Sequence, residues 1–358
     1  MDIIQDILAA LGVVLNGLPQ GLLALAFGFA SVPTAFAFIV GAIGNAATNN
    51  VAVVSYQAET ITLAGTMAKT MRERLSAIFF GAIILTVIGL FGMLELIIDW
   101  IGPAITSGMM AGVGIMLAKV AFDMAKEDRI IGATSIGSAL LTYLFTKDLV
   151  YTITISVILS SIVYNIMKKR SGDTKSTNKY PEEKLNFLKP TFNMAVLRGA
   201  LAITCLNIGA NIAFGRINEG IAGQPVNVDT LSIISSLADI ASVLFGGAPV
   251  EVVISATASA PHAVWSGVLM MVIMAIILIT KTLPKIGKFV PSSSIAGFLM
   301  ILGVMVTLPG NAAAALTGEG AGSGVVGAVT MVVTALTDPF FGMLAGVIVE
   351  TLMNWIGM

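Results

Sequence analysis

Histidine and cysteine each occur once in the 358-residue chain, as His262 and Cys205. A single cysteine excludes an intrachain disulfide and a thiolate metal cluster, and a single histidine excludes a His-built metal centre. There is no H-E-x-x-H, no G-x-S-x-G, no histidine beside a nucleophile and no P-loop. No enzyme, catalytic residue, metal or cofactor is therefore expected. Charge is scarce as well. Asp, Glu, Lys and Arg make up 11% of the residues, against about 25% in soluble domains. No basic and aromatic pattern points to nucleic acid. The start, "MDIIQDILAALG", carries Asp2 and Asp6 and no basic stretch, which is not the pattern of a secretory signal peptide.

What is present is apolar. Hydrophobic residues make up 56% of the chain and the mean hydropathy is +0.95. Many runs approach 20 residues, the length that crosses a hydrocarbon core. The reading is an all-α polytopic membrane protein. Apolar segments lie at about 8–28, 32–47, 50–68, 75–98, 104–122, 130–146 and 149–167. The polar stretch "KKRSGDTKSTNKYPEEKLNFLK" follows, and a linker is expected over 168–190. Seven more segments lie at about 192–215, 228–246, 247–261, 263–281, 290–308, 325–337 and 339–357.

The halves, 1–167 and 191–358, repeat landmarks at a nearly constant distance. Pro103 and Pro291 open similar Gly-containing helices, and Asp148 with Asn165 matches Asp338 with Asn354. An odd number of spans per half forces opposite orientations, so 14 transmembrane segments in a 7+7 inverted repeat are expected, a transporter architecture. At an offset of 192, Glu59 meets Glu251. Each glutamate is expected near the first turn of a half-helix, in a segment made of a short strand plus that half-helix: "NNVAVVSYQAETIT" in segment 3 and "GGAPVEVVISATAS" in segment 10. Broken segments at matching places point to a midplane binding site.

Carboxylates inside apolar segments are few: Glu59, Asp239, Glu251 and Glu350. Such groups default to a functional reading. Burial disfavours a charged carboxylate and a helix N-terminus favours it, a balance suited to proton coupling at Glu59 and Glu251. The plainer reading is that both only cap their half-helices. Ser55, Tyr56 and Gln57 flank Glu59, and Ser255 follows Glu251. Asn207 and Asn211 share a helix face at i,i+4 spacing, and Ala248 lies in the extended stretch before Glu251. These residues, with Glu59 and Glu251, form the expected substrate site; amides and hydroxyls can both donate and accept along a heterocycle edge. The two asparagines could equally bond neighbouring helices. Asp239 and Glu350 read as structural, and His262 as an interfacial residue between segments 10 and 11.

Four stretches, "IGPAITSGMMAGVGIMLA", "SLADIASVLFGGAPVEVVISATAS", "VPSSSIAGFLMILGVM" and "AVTMVVTALTDPFFGMLAGVIVETLM", occur in order over most of the chain. Together they resemble the nucleobase–cation symporter family of uracil, xanthine and hypoxanthine/guanine permeases, closest to the hypoxanthine/guanine branch. The resemblance implies a core domain of about 1–98 plus 191–281 and a gate domain of about 99–167 plus 282–358. It also implies transport of a purine-like nucleobase coupled to H⁺ or Na⁺, a place in the cell (inner) membrane, and a homodimer through the gates. Where such permeases carry a base-contacting carboxylate in segment 10 this chain has Ser255. Where they carry acidic residues in segment 8 it has Asn207 and Asn211. The alternative is a small-anion transporter of the same fold, like the sulfate permeases. Half-helix dipoles favour anions, and the two glutamates oppose them unless protonated.

Among the 19 Lys and Arg, all but Lys147 and Arg216 fall on the side of the linker. Basic loops stay cytoplasmic. The linker is therefore expected inside and both termini outside, opposite to the usual placement in the resembled family.

Overall fold

The computed structural model describes residues 2–171, 185, 187–317 and 322–356. Most of the linker 168–190 lies outside the described residues. The first half runs α1 (Asp2–Ala26), α2 (Ser31–Thr48), β1 (Val53–Ser55), α3 (Ala58–Met67), α4 (Met71–Leu90), α5 (Leu94–Ile101), α6 (Pro103–Glu127), α7 (Arg129–Thr146) and α8 (Leu149–Ser171). The second half runs α9 (Met194–Ala222), α10 (Val228–Val243), β2 (Glu251–Val253), a single 3₁₀ turn (Ala256–Ser259), α11 (Ala263–Ile279) and α12 (Thr282–Gly287). It continues with α13 (Ala296–Ile301), a π-helical stretch (Leu302–Thr307), α14 (Leu308–Thr317), α15 (Ser323–Leu336) and α16 (Pro339–Ile356). Among the described residues eight helical stretches are long and apolar enough to cross a membrane: α1, α2, α4, α6, α8, α9, the continuous α13–α14 rod and α16. The protein is a mostly helical, multi-pass membrane protein.

Tight turns between the helices are closed by short polar side chains, as orphan helix-end amides require. Thr70 and Glu73 form a reciprocal capping box on α4. Asp128 accepts from the Ile130 and Ile131 amides, and Asn193 from the Val196 amide. Asp148 accepts from Val150 at the start of α8, and Asp338 from Phe341 at the start of α16. The matching caps agree with the offset between these two residues.

The helices pack in two groups. In one, α2 lies against α10 and α11, α4 against α9 and α10, and α1 against α11. In the other, α6 lies against α14 and α15, α15 against α16, and α7 against α8 and α13. The groups meet where α9 touches α16 and α1 touches α8. The α7–α13 crossing is close. A Cβ at Gly297 would run into the Ser135 backbone, and the Ser135 hydroxyl links the elements by donating to the Ser294 carbonyl and accepting from the Gly297 amide.

Strands β1 and β2 pair antiparallel inside the first group, with Val53 opposite Val253, Val54 opposite Val252 and Ser55 opposite Glu251. Irregular backbone at membrane depth must be satisfied by protein, and buried side chains do this here. The Asn45 amide donates to the Ala52 carbonyl (2.6 Å) and Asn50 accepts from the Ala52 amide (3.0 Å). Asp239 accepts from the Val250 amide (2.7 Å), Ser242 donates to the Ala248 carbonyl (2.6 Å) and Thr34 accepts from the Ala248 amide (2.8 Å). Asn218 donates to the Val253 carbonyl (2.8 Å) and accepts from the Ser255 amide (3.0 Å).

Two sequence expectations are corrected here. Segment 10 is a strand plus one 3₁₀ turn, not a strand plus a half-helix. Glu251 lies on β2, not in the first turn of a helix. The cause is a length difference. The helices after the broken segments, α4 at Met71 and α11 at Ala263, keep the offset of 192, whereas β1 at Val53 and β2 at Glu251 are 198 apart. The second half is six residues shorter between strand and next helix, and those residues come out of the half-helix.

Candidate functional site

Gln57 stands at the N-cap of α3 in an extended conformation, and no side chain caps this helix. Its first-turn amides are thus among the orphan donors every helix start carries. Ser55, Tyr56, Gln57 and Glu59 are all buried, with Glu59 the most open at 7% exposure. Glu59 lies in the first turn of α3. The hydroxyl of Ser55 and the Nε2 of Gln57 are buried without a hydrogen-bond partner among the described residues. The start of α3 is therefore a buried set of donors beside the carboxyl group of the chain's own Glu59.

A polar chain leads away from it. Thr60, in the first turn of α3, sits 2.5 Å from Gln57 Oε1 and 3.2 Å from Asn207 Oδ1 on α9. Asn207 donates through Nδ2 to Glu251 Oε1 on β2. The Glu251 and Asp239 carboxyls are neighbours, and Glu251 Oε2 is buried without a hydrogen-bond partner among the described residues. Gln57, Asn207 and Glu251 are thereby brought together, with Glu59 next to Thr60 in the first turn of α3. Thr60 joins them although the sequence reading passed over it. Its signal was its place three residues after the N-cap, where a side chain can reach back.

The other expected site residues have structural surroundings. Asn211 donates to Ser232 (3.1 Å) and Ser235 (3.3 Å) on α10. Both polar backbone atoms of Ala248 are held by Thr34 and Ser242. Ser255 caps the 3₁₀ turn by accepting from the Thr257 amide. The Tyr56 ring packs edge-on against Phe38, with centroids 5.4 Å apart, beside Gly21 of α1. Asn218 was not singled out, although it extends the Asn207–Asn211 face by two turns. His262 stands at the start of α11 and bonds Asp6 of α1, Nδ1 to Oδ2 at 2.9 Å.

Beyond the C-terminal end of α3, between the two helix groups, lies a cavity of about 320 Å³. Thr66 and Met67 line it from α3, Lys119 and Asp123 from α6, Arg198 from α9 and Leu336 from α15. Arg198 Nε lies 2.5 Å from the buried Asp338 Oδ2, and its guanidinium sits over the Phe341 ring at 5.0 Å.

The fold is that of known membrane transporters. The transmembrane domain of a cyanobacterial bicarbonate transporter, BicA, matches over 97% of this chain and 98% of its own, with a TM-score of 0.71 at 14% identity. SLC26A9 matches over 98% of this chain with a TM-score of 0.70 at 14% identity, and this chain spans 65% of it. The murine Slc26a9 anion transporter in its inward-facing state matches over 99% of this chain and 69% of its own, with a TM-score of 0.63 at 14% identity. No protein-family model matches the chain, and no curated protein sequence matches it. Identity this low establishes the fold alone: a fold of membrane transporters, shared with proteins built as a 7+7 inverted repeat.

These neighbours overturn the resemblance to nucleobase–cation symporters. The four stretches that carried it encode fold: a proline-started Gly-rich helix, a strand after a polar helix, and small residues at helix crossings. Such features serve packing whatever is transported. At the positions that would read a base, the chain has Ser255, Asn207 and Asn211, and the structure gives Ser255 and Asn211 capping and packing bonds.

Proposed function

We propose that the protein is a secondary transporter of a small anion. The observation that carries this reading is the start of α3, where uncapped amides, the Ser55 hydroxyl and the Gln57 amide form a buried donor cluster. A helix N-terminus favours negative charge, and neutral donors hold an anion without the deep trap of a buried cation. The named activities of BicA, a bicarbonate transporter, and of Slc26a9, an anion transporter, support the same substrate class.

Glu59 makes the transport coupled. Its carboxylate lies in the first turn of α3, beside the donors that a substrate anion would use, and two negative charges there repel. Binding of the anion then goes with loss of the Glu59 charge to H⁺, or with its compensation by a cation such as Na⁺. Thr60, Asn207, Glu251 and Asp239 extend this site into the helix group. The remaining features follow the transporter architecture. Fourteen segments form two inverted sevens, and a core of about 1–98 plus 191–281 moves against a gate of about 99–167 plus 282–358. The linker faces the cytoplasm and the termini the outside of the cell membrane.

The test is uptake by the purified protein in proteoliposomes, with bicarbonate, sulfate and chloride beside uracil and hypoxanthine, with and without pH and Na⁺ gradients. Gradient-driven uptake of an anion is expected. Uptake of a base with no anion taken up overturns the reading.

A further inference from the structure

A second groove lies away from the donor cluster. It has a volume of about 590 Å³ and runs between α1 and α8, on the surface where the two helix groups meet. Leu15, Leu18 and Leu22 line it from α1, Ile158 and Ile162 from α8, and Phe289 closes one end. Leu15, Ile158, Ile162 and Phe289 are each at least half exposed. Both helices are long and apolar enough to cross a membrane, so this opening faces hydrocarbon and not water.

Four polar residues break the apolar lining: Thr154, Ser161, Lys169 and Asn165, whose amide donates to the Ser161 and Phe289 carbonyls. Lys169 lies at the end of the groove where α8 finishes, with Lys168 and Arg170 beside it in the last turn. Ser161, 8% exposed, lines the groove with its Oγ buried and unpartnered among the described residues. Long basic side chains at a helix end extend to the interface, and basic pockets between membrane helices take anionic headgroups.

We propose that the groove holds an acyl chain of an anionic phospholipid, with the headgroup against Lys169. The chain lies along Leu15, Leu22, Ile158 and Ile162. One partner surface is α1, from the helix group that contains the donor cluster, and the other is α8, from the second group. The bound lipid therefore bridges the two groups. This site stands independently of the transported substrate.

The test titrates phosphatidylglycerol and phosphatidylcholine into the full chain, purified in a neutral maltoside detergent, and follows the thermal unfolding midpoint. Phosphatidylglycerol is expected to raise the midpoint at lower concentration than phosphatidylcholine. Lys169→Gln is expected to weaken the phosphatidylglycerol response about fivefold, the weight of one basic side chain at an anionic lipid surface, and to leave the phosphatidylcholine response unchanged. Ile162→Trp, which fills the groove from α8, is expected to remove both responses. Leu15→Trp does the same from α1 should the first variant not fold. Equal responses to the two lipids in the unsubstituted protein overturn the proposal. So do full responses in the groove-filled variants, and so does a dimer that either tryptophan converts to monomers, which would make a second copy the occupant.

Discussion

Gln57 and Ser255 hold the same place in the two halves of the molecule: each follows its strand of the β1–β2 pair and stands in extended conformation at the cap of the turn that comes next. Glu59 lies two residues beyond Gln57, and the residue two beyond Ser255 is Thr257. The carboxyl group at the start of α3 thus has no carboxyl counterpart at the other turn.

That asymmetry makes Glu59 the coupling residue of the proposed transport. Glu59→Gln removes the charge and keeps the shape. Anion uptake in proteoliposomes is expected to continue while losing its dependence on the imposed pH gradient. Uptake that stays gradient-driven in this variant removes Glu59 from the coupling role.

Asn207 joins Thr60 to Glu251 inside the first helix group. Asn207→Ala leaves a buried carboxylate oxygen without its donor, at a cost of about 1–3 kcal/mol. A lower unfolding midpoint in detergent is expected, and an unchanged midpoint shows that Glu251 finds another donor.

Asp338 has two tasks, accepting from the Phe341 amide and pairing with Arg198 across the helix groups. Asp338→Asn keeps a cap and loses the pair; Asp338→Ala loses both. The alanine variant is expected to be less stable than the asparagine variant by about 1 kcal/mol, the weight of a helix cap. Equal unfolding midpoints assign the whole effect to the ion pair.

The α7–α13 crossing depends on Gly297, where an added methyl meets the Ser135 backbone. Gly297→Ala is expected to destabilise by about 1–3 kcal/mol, the usual range for an overpacked core. Ser135→Ala, at the same crossing, removes two hydrogen bonds without adding bulk. A stable Gly297→Ala protein shows that the crossing can open.

Sidedness is tested by Asp2→Cys in a Cys205→Ser background. A membrane-impermeant maleimide is expected to label intact cells. Labelling only after the cytoplasmic face is opened reverses the proposed orientation.

The sequence by itself determined that this is a multi-pass membrane protein with a repeated architecture. Hydropathy over some 20 residues and the paired landmarks Pro103/Pro291 and Asp148/Asp338 are local properties, and the matching caps of α8 and α16 are read straight from them. It also located the start of α3, because a glutamate in an apolar run needs a physical reason wherever it sits. What it could not decide is which residues meet. The six residues missing after β2 change the register only inside one segment, and the helices on either side mask the change, so Glu251 read as the partner of Glu59 when it is the residue opposite Ser55. The meeting of Thr60, Asn207 and Glu251 depends on α3, α9 and β2 converging from distant parts of the chain. The family resemblance was misread for a related reason. Small residues and prolines record how helices pack, whereas an anion is held by backbone amides, which every residue but proline carries and no sequence motif spells out.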